Sequence, residues 1–350
     1  MLSRLCLGLI AILVIAVAIQ GSIVEADSTT GTLLDFNFVA VGDWGCTPDT
    51  TSVVTAINNL NPERVLGLGD YSYANSPNCW YNEIAPIESK MQNPSTVALG
   101  NHETVDGSST HLDSGGRTGF LNHFGLTNTY YSFNYQNVHF LVMDTESPYS
   151  STSAQYTFVK NDLIQASNNS TIGWIVAYFH KPMYTSPALH AALIGMRAIY
   201  QPLFDQYSVD LVLQAHNHAY ERTKPLHFNS VVTDNNATSY TNPSGQIYVT
   251  IGTGGMSLRN WYDINSNVVQ QLDTFGYLNV DVINSGRTLD AKFYGTNGVI
   301  RDQFSITKNA TMHGSDTIPE FPYAFLIFTM AITIFLSWKF LIRVRQINRY

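Results

Sequence analysis

Charge is scarce in this chain. Only 13% of its 350 residues are Asp, Glu, Lys or Arg, and the 26 acidic residues outnumber the 18 basic ones. A net charge of −8 repels polyanions at long range, which argues against a nucleic-acid-binding protein. Cysteine is rarer still, with three in the whole chain. Cys6 falls in an N-terminal apolar run, which leaves Cys46 and Cys79. In an oxidising compartment one such pair invites one disulfide, and two buried free thiols are the alternative. There is no internal repeat and no long low-complexity linker. Residues 27–312 are long enough for one α/β domain with a substantial core.

Long apolar runs are confined to the two ends. Leu5 to Ile19 follows a single basic residue, Arg4, and precedes the small-residue pattern Val24-Glu25-Ala26. We read residues 1–26 as a signal peptide, with an uncleaved anchor as the alternative. Phe321 to Trp338 carries no charge and is followed by Lys339, Arg343, Arg345 and Arg349. Residues 313–320 then form a short linker, 321–342 a transmembrane helix or sorting tail, and 343–350 a basic cytoplasmic tail. Pro319-Glu320-Phe321 with its apolar run also resembles the sorting tails of archaeal surface proteins. The expected location is the extracellular face of the membrane. Without the signal and the basic tail, 13 basic residues stand against 25 acidic ones, or −12. Asn168, Asn169, Asn236 and Asn309 begin Asn-x-Ser/Thr sequons, which favour surface positions.

Between these ends, strands and helices alternate before giving way to strands alone. The pattern predicts strands over 35–41, 64–69, 95–99, 138–144, 172–179 and 209–215, and helices over 50–60, 153–167 and 189–207. Asp49 or Thr50 is available to cap the first helix. Further strands follow at 246–251, 276–283, 288–294 and 303–307. This order predicts an α/β fold: a four-layer α/β/β/α sandwich of two mixed sheets flanked by helices.

Polar residues cluster where the buried strands end. Asp43 lies in Gly-Asp-Trp-Gly, Asp70 in Gly-Asp-Tyr-Ser-Tyr, and Asn101-His102 in Gly-Asn-His-Glu; His180, His216 and His218 follow two later strands. Loops at the carboxyl ends of strands converge around a crevice. Asp, Asn and His supply oxygen and nitrogen donors for metals. Singly each signal is modest, since Asp43 serves equally well as a turn residue and one histidine as a structural one. The ordered set Asp, Asp-x-x-Tyr, Asn-His, His, His-x-His is what points to a bimetal site.

That set resembles the calcineurin-like metallophosphoesterases, and Tyr73 resembles the mark of their purple acid phosphatase branch. The segments 174–184 and 215–222 resemble two more blocks of that family, and the likeness extends over residues 35–307. Ala215 departs from it, standing where the family usually has Gly. The compact single-domain type is the nearest in layout. The resemblance implies Asp43, Asp70, Tyr73 and His218 on one metal, and Asp70, Asn101, His180 and His216 on the other, bridged by Asp70. It implies Fe³⁺ at the tyrosine site and a divalent ion, Zn²⁺, Mn²⁺ or Fe²⁺, at the second. The implied activity is hydrolysis of small phosphate monoesters, a metal-bound hydroxide attacking phosphorus. A phosphodiesterase or nucleotidase on the same centre, and a non-catalytic surface protein, are the rivals.

His102 is the candidate to hydrogen-bond the phosphate or protonate the leaving group. His190 resembles a family histidine of similar role, the alternative being a histidine exposed on the predicted 189–207 helix. Glu103, Glu221 and Arg222 are expected to orient ligand groups. Gly252-Thr-Gly-Gly255 follows a strand with no helix after it, so we read it as structural. The remaining expected partner is the membrane, through the C-terminal helix.

Overall fold

The computed structural model describes residues 35–73, 77–104, 116–233 and 238–309, excluding the side chains of 77–80 and 116. The expected signal peptide, linker, membrane segment and cytoplasmic tail, and Asn236, lie outside the described residues. Among those described, no helix is long and apolar enough to cross a membrane.

Two mixed sheets form the centre. The first contains β1 (Phe36–Val41), β2 (Arg64–Gly67), β10 (Ser239–Thr241), β13 (Gly276–Ile283), β14 (Thr288–Gly295) and β15 (Ile300–Thr307), in the order β10-β15-β14-β13-β1-β2. The second contains β3 (Tyr131–Tyr135), β4 (Val138–Val142), β5 (Trp174–Tyr178), β6 (Leu211–Gln214), β7 (Tyr220–Thr223), β11 (Ile247–Ile251) and β12 (Val268–Leu272), in the order β12-β7-β11-β6-β5-β4-β3. A short hairpin, β8 (Leu226–His227) and β9 (Ser230–Val231), stands apart. Within the sheets, β1–β2 and the run β4-β5-β6-β11 are parallel.

Side-chain alternation explains the layering. Trp174, Val176 and Tyr178 of β5 enter the core between the sheets, while Ile175 and Ala177 face a second apolar cluster. That cluster takes Val159 and Leu163 from helix α4 (Ala154–Ser167) and Met196, Tyr200 and Phe204 from α5 (Ile194–Gln206). Across the inter-sheet core, Phe38 meets Phe140 edge-on at 5.2 Å and Tyr220 stacks on Phe293 at 4.1 Å. Helix α1 (Pro48–Leu60) packs Val53, Val54 and Ile57 into the same core. Helices α2 (Pro77–Ile84) and α3 (Gly116–Phe124) complete the α-helices among the described residues.

Three local expectations are corrected. Residues 95–99 form no strand but a segment with one bridge, Val97 to Gly67, because it meets β2 only at that strand's last residue. The cap of α1 is Thr47, whose hydroxyl accepts from Thr50 N while the Thr50 hydroxyl accepts from Thr47 N. Helix α5 begins only at Ile194, so His190 lies in the preceding loop.

Arg222 does not orient a ligand. It ties β7 to β15 through a two-pronged ion pair, Nε to Asp302 Oδ2 at 2.6 Å and Nη2 to Oδ1 at 3.0 Å. Tyr220 Oη donates to the same carboxylate at 2.8 Å, and the guanidinium lies over Phe304. Removing one partner strands a buried charge. Asp302→Ala is therefore expected to destabilise the protein by about 3–5 kcal/mol, read by denaturant unfolding. A loss under about 1 kcal/mol would show that the pair is solvent-screened.

Candidate metal centre

The candidate donors come from both sheets. Asp43 follows β1 and Asp70 closely follows β2, while His180 and His216 follow β5 and β6 of the other sheet. Asp43, Asp70 and His216 all have positive φ, 60°, 52° and 70°. Such left-handed non-glycine residues cost about 1–3 kcal/mol each and persist where their surroundings hold them. Here Asp43 N donates to Gly69 O, Trp44 N to Asp70 O at 3.0 Å, and His216 N to Asp43 Oδ2 at 2.8 Å. The ligand loops therefore brace one another.

Two groups of donors meet at Asp70. Tyr73 Oη lies 2.6 Å from Asp43 Oδ1, 2.9 Å from Asp70 Oδ2 and 3.1 Å from His218 Nε2. On the other side, His180 Nε2 lies 3.1 Å from the same Asp70 oxygen and 3.1 Å from His216 Nδ1. Asp70, His180 and His216 each offer an atom within 4.8 Å of the others. Asn101 begins a short 3-10 helix, Asn101–Glu103, and its Oδ1 is buried with no hydrogen-bond partner among the described residues. An amide oxygen buried without a donor fits a metal ligand.

Orientation and charge suit cations. The His180 Nδ1–H faces Leu68 O at 2.8 Å and that of His218 faces Ser257 O at 3.0 Å, which turns each Nε2 toward the carboxylates. Burial alone would push the Asp43 carboxyl up, but His218 and Tyr73 hold it below the usual carboxylate range. Burial disfavours the His180 imidazolium, yet Asp70 outweighs it and raises the group to about 10. Burial and the charge on His180 push His216 down to about 2. Burial and the two carboxylates push the Tyr73 phenol well above its ordinary value. Metal ions would take over the protons' place here, since ligation needs neutral imidazole.

The flanking residues fall into place around this centre. His102 N donates to Asp70 Oδ1 at 2.9 Å, and its ring packs on Tyr73 with centroids 4.1 Å apart. Glu103 accepts from the backbone N–H of Asp70, Tyr71 and Gly100, so it shapes the Asp70 loop as expected. A side chain at Gly100 would collide with Asp70, which explains the glycine. Glu221 accepts from Ser186 N and Gln271 Nε2, fixing the loop before His190. His190 itself stacks on His216 at 3.9 Å, because Asn217 holds its backbone by both amide atoms. The reading of His190 as an exposed helix residue is thus corrected.

Ala215 leaves the turn intact. The positive φ falls on His216 instead, and Gly42 supplies the space: a Cβ on Gly42 would lie 2.8 Å from the Ala215 methyl. Gly252 packs against Asn217 O and Asp43 Oδ2, which accounts for the glycine run without a phosphate loop. Cys46 is disulfide-bonded, and the Cys79 side chain lies outside those described. Asn168 and Asn309 are exposed and Asn169 half-buried. Sequence reasoning missed Asn217, although it sits inside His-x-His, and Arg259, whose Nη1 lies 3.1 Å from His190 Nε2.

Residues 36–220 match the calcineurin-like phosphoesterase family, and the chain belongs to that family. Its relatives include purple acid phosphatase 23 of Arabidopsis thaliana, 31% identical over 253 residues, covering 61% of this chain and 51% of that protein. Probable inactive purple acid phosphatase 1 of the same plant is 28% identical, covering 71% of this chain and 43% of its own length. The chain spans about half the length of the curated relatives it matches. Among solved structures, purple acid phosphatase PPD1 from yellow lupin seeds superposes with a TM-score of 0.68 and 25% identity, covering 79% of this chain and 54% of that one.

Proposed function

We propose that this protein hydrolyses phosphate monoesters at a dinuclear metal centre of the purple acid phosphatase type. One observation carries the reading: a single oxygen, Asp70 Oδ2, lies 2.9 Å from Tyr73 Oη and 3.1 Å from His180 Nε2. It faces both donor groups, as a bridging carboxylate must. Asp43, Tyr73 and His218 would complete the first site, whose phenol and two carboxylates suit Fe³⁺. Asn101, His180 and His216 would complete the second, which carries less negative charge and suits Zn²⁺, Mn²⁺ or Fe²⁺. When bound, the ions polarise the phosphoryl oxygens and acidify a water for in-line attack.

The chain's own groups serve the rest of the reaction. Asp70 holds the two sites together while Glu103 fixes its loop through three backbone N–H groups. His102, packed on Tyr73, is placed to hydrogen-bond the phosphoryl group or protonate the departing alcohol. His190, stacked on His216, borders the opposite metal position. The complete donor set favours catalysis over a binding protein built on a phosphatase scaffold.

We further propose secretion through residues 1–26, anchoring on the extracellular face through 321–342, a Cys46–Cys79 disulfide, and glycans on Asn168, Asn169, Asn236 or Asn309. One experiment on the protein recovered from the cell surface tests these readings together: metal content, phosphate release from aryl mono- and diesters, and a non-reducing peptide map. The expected result is two metals per chain, monoester turnover that stops on chelation, and the cross-linked peptide. Faster diester turnover would support the phosphodiesterase, and a metal-free chain the binding protein. Free Cys46 and Cys79 would remove the disulfide.

A further inference from the structure

Arg259 belongs to no ligand block, yet it stands on the rim of the metal centre. Its backbone N–H donates to His218 O at 3.0 Å, and Nη1 lies 3.1 Å from His190 Nε2. Since the His190 ring covers His216, the guanidinium is one imidazole removed from a candidate ligand. Among the described residues, no carboxylate lies within ion-pair distance of it. Arg117, Lys181, Arg222, Lys292 and Lys308 each pair with an acid, whereas the contact that holds the Arg259 guanidinium is the His190 ring.

The position is built. Tyr262 N donates to Pro187 O at 2.8 Å and Asn265 N to Ser186 Oγ at 3.0 Å, so the Arg259 and His190 loops are clamped together. Leu189 and Tyr262, on the same two loops, are 54% and 70% exposed. A half-buried guanidinium with no carboxylate partner among the described residues offers a planar fork suited to a phosphate or carboxylate. Since His190 stands between the guanidinium and His216, the fork faces the rim outside the ring of donors.

We propose that Arg259 is a specificity-determining residue that binds a second anionic group of the substrate, phosphate or carboxylate, on the His190 side of the centre. This rests on the phosphomonoesterase reading above and names the substrate class it favours. The binding would be charge-assisted and lost for a substrate without that group.

Arg259→Gln tests it, because Gln retains a donor for His190 but no charge. For wild type and variant, kcat/KM is measured with inorganic pyrophosphate and with 4-nitrophenyl phosphate, after metal content and melting temperature are matched. The ratio of the two values should fall by about 10- to 100-fold in the variant, the range for a lost charge-assisted hydrogen bond. Arg259→Lys should recover part of it. An unchanged ratio, whether both rates drop or neither does, would overturn the proposal. If the wild type hydrolyses neither substrate, the functional reading fails instead. Calorimetric binding of methylenediphosphonate relative to inorganic phosphate then decides: Arg259→Gln should weaken the former about 10-fold more, and equal weakening sinks the proposal.

Discussion

Asp70→Asn is expected to abolish phosphate release while leaving the fold intact. Asp70 is buried, and the oxygen that faces Tyr73 also faces His180, so one charge serves both proposed metal positions. An amide keeps the shape but removes that charge, and both ions lose their common ligand. The expected loss exceeds about 10³-fold, above what removal of one charge-stabilising hydrogen-bond donor brings. Steady-state release of inorganic phosphate, with metal analysis of the same sample and circular dichroism as the fold check, reads the outcome. Turnover within tenfold of wild type would sink the bimetal mechanism. His102→Ala provides the contrast. It should keep both metals and slow hydrolysis by about 10²-fold, because His102 touches Asp70 through its backbone N–H and reaches the site only with its ring.

Tyr73→Phe is expected to remove the visible colour of the protein altogether. A phenolate on ferric iron transfers charge to the metal and absorbs visible light, so a violet wild type needs both partners. The alternative is a Tyr73 that merely packs beside Tyr71. The two tyrosines have separate surroundings: Tyr71 is buried against Phe120 and Phe124 and donates to Ala98 O. Tyr73 sends its hydroxyl among Asp43, Asp70 and His218 instead. Burial and those carboxylates press its proton on, so only a strongly acidic cation would take the phenolate. The spectrum of the iron-loaded protein before and after substitution decides it. A colourless, active wild type with two divalent ions would remove the chain from the purple branch and leave it a phosphoesterase.

The strands that carry the donors were legible from the chain alone. Phe36–Val41, Trp174–Tyr178 and Leu211–Gln214 are nearly continuous apolar runs, as strands covered on both faces must be, and each ends at or near a polar donor. Residues 95–99 read as a strand for the same reason and proved to be a segment with one bridge, because apolar content reports burial and not pairing. His190 was ambiguous because a loop and the first turn of a helix share composition. Its place depends on Asn217, whose amide reaches it across a separation of 27 residues. Arg259 was silent because a lone arginine has no local signal, and its meaning lies in a bond to His190 across 69 residues.

By itself, then, the sequence determined the kinds of donor, their order, and the ends of the strands that bear them. Those follow from local rules, apolar runs that must be buried and polar residues that must leave the core. Tertiary structure alone decided that the donors after β1 and β2 of one sheet would meet those after β5 and β6 of the other. It also decided that Asp70 would stand between the Tyr73 and His180 groups and that Arg259 would reach His190 beside them. The physical reason is that alternation assigns each residue to a face, whereas the choice of facing partner depends on side chains such as Phe38 with Phe140 and Arg222 with Asp302, distant in the chain and matched only when the sheets close.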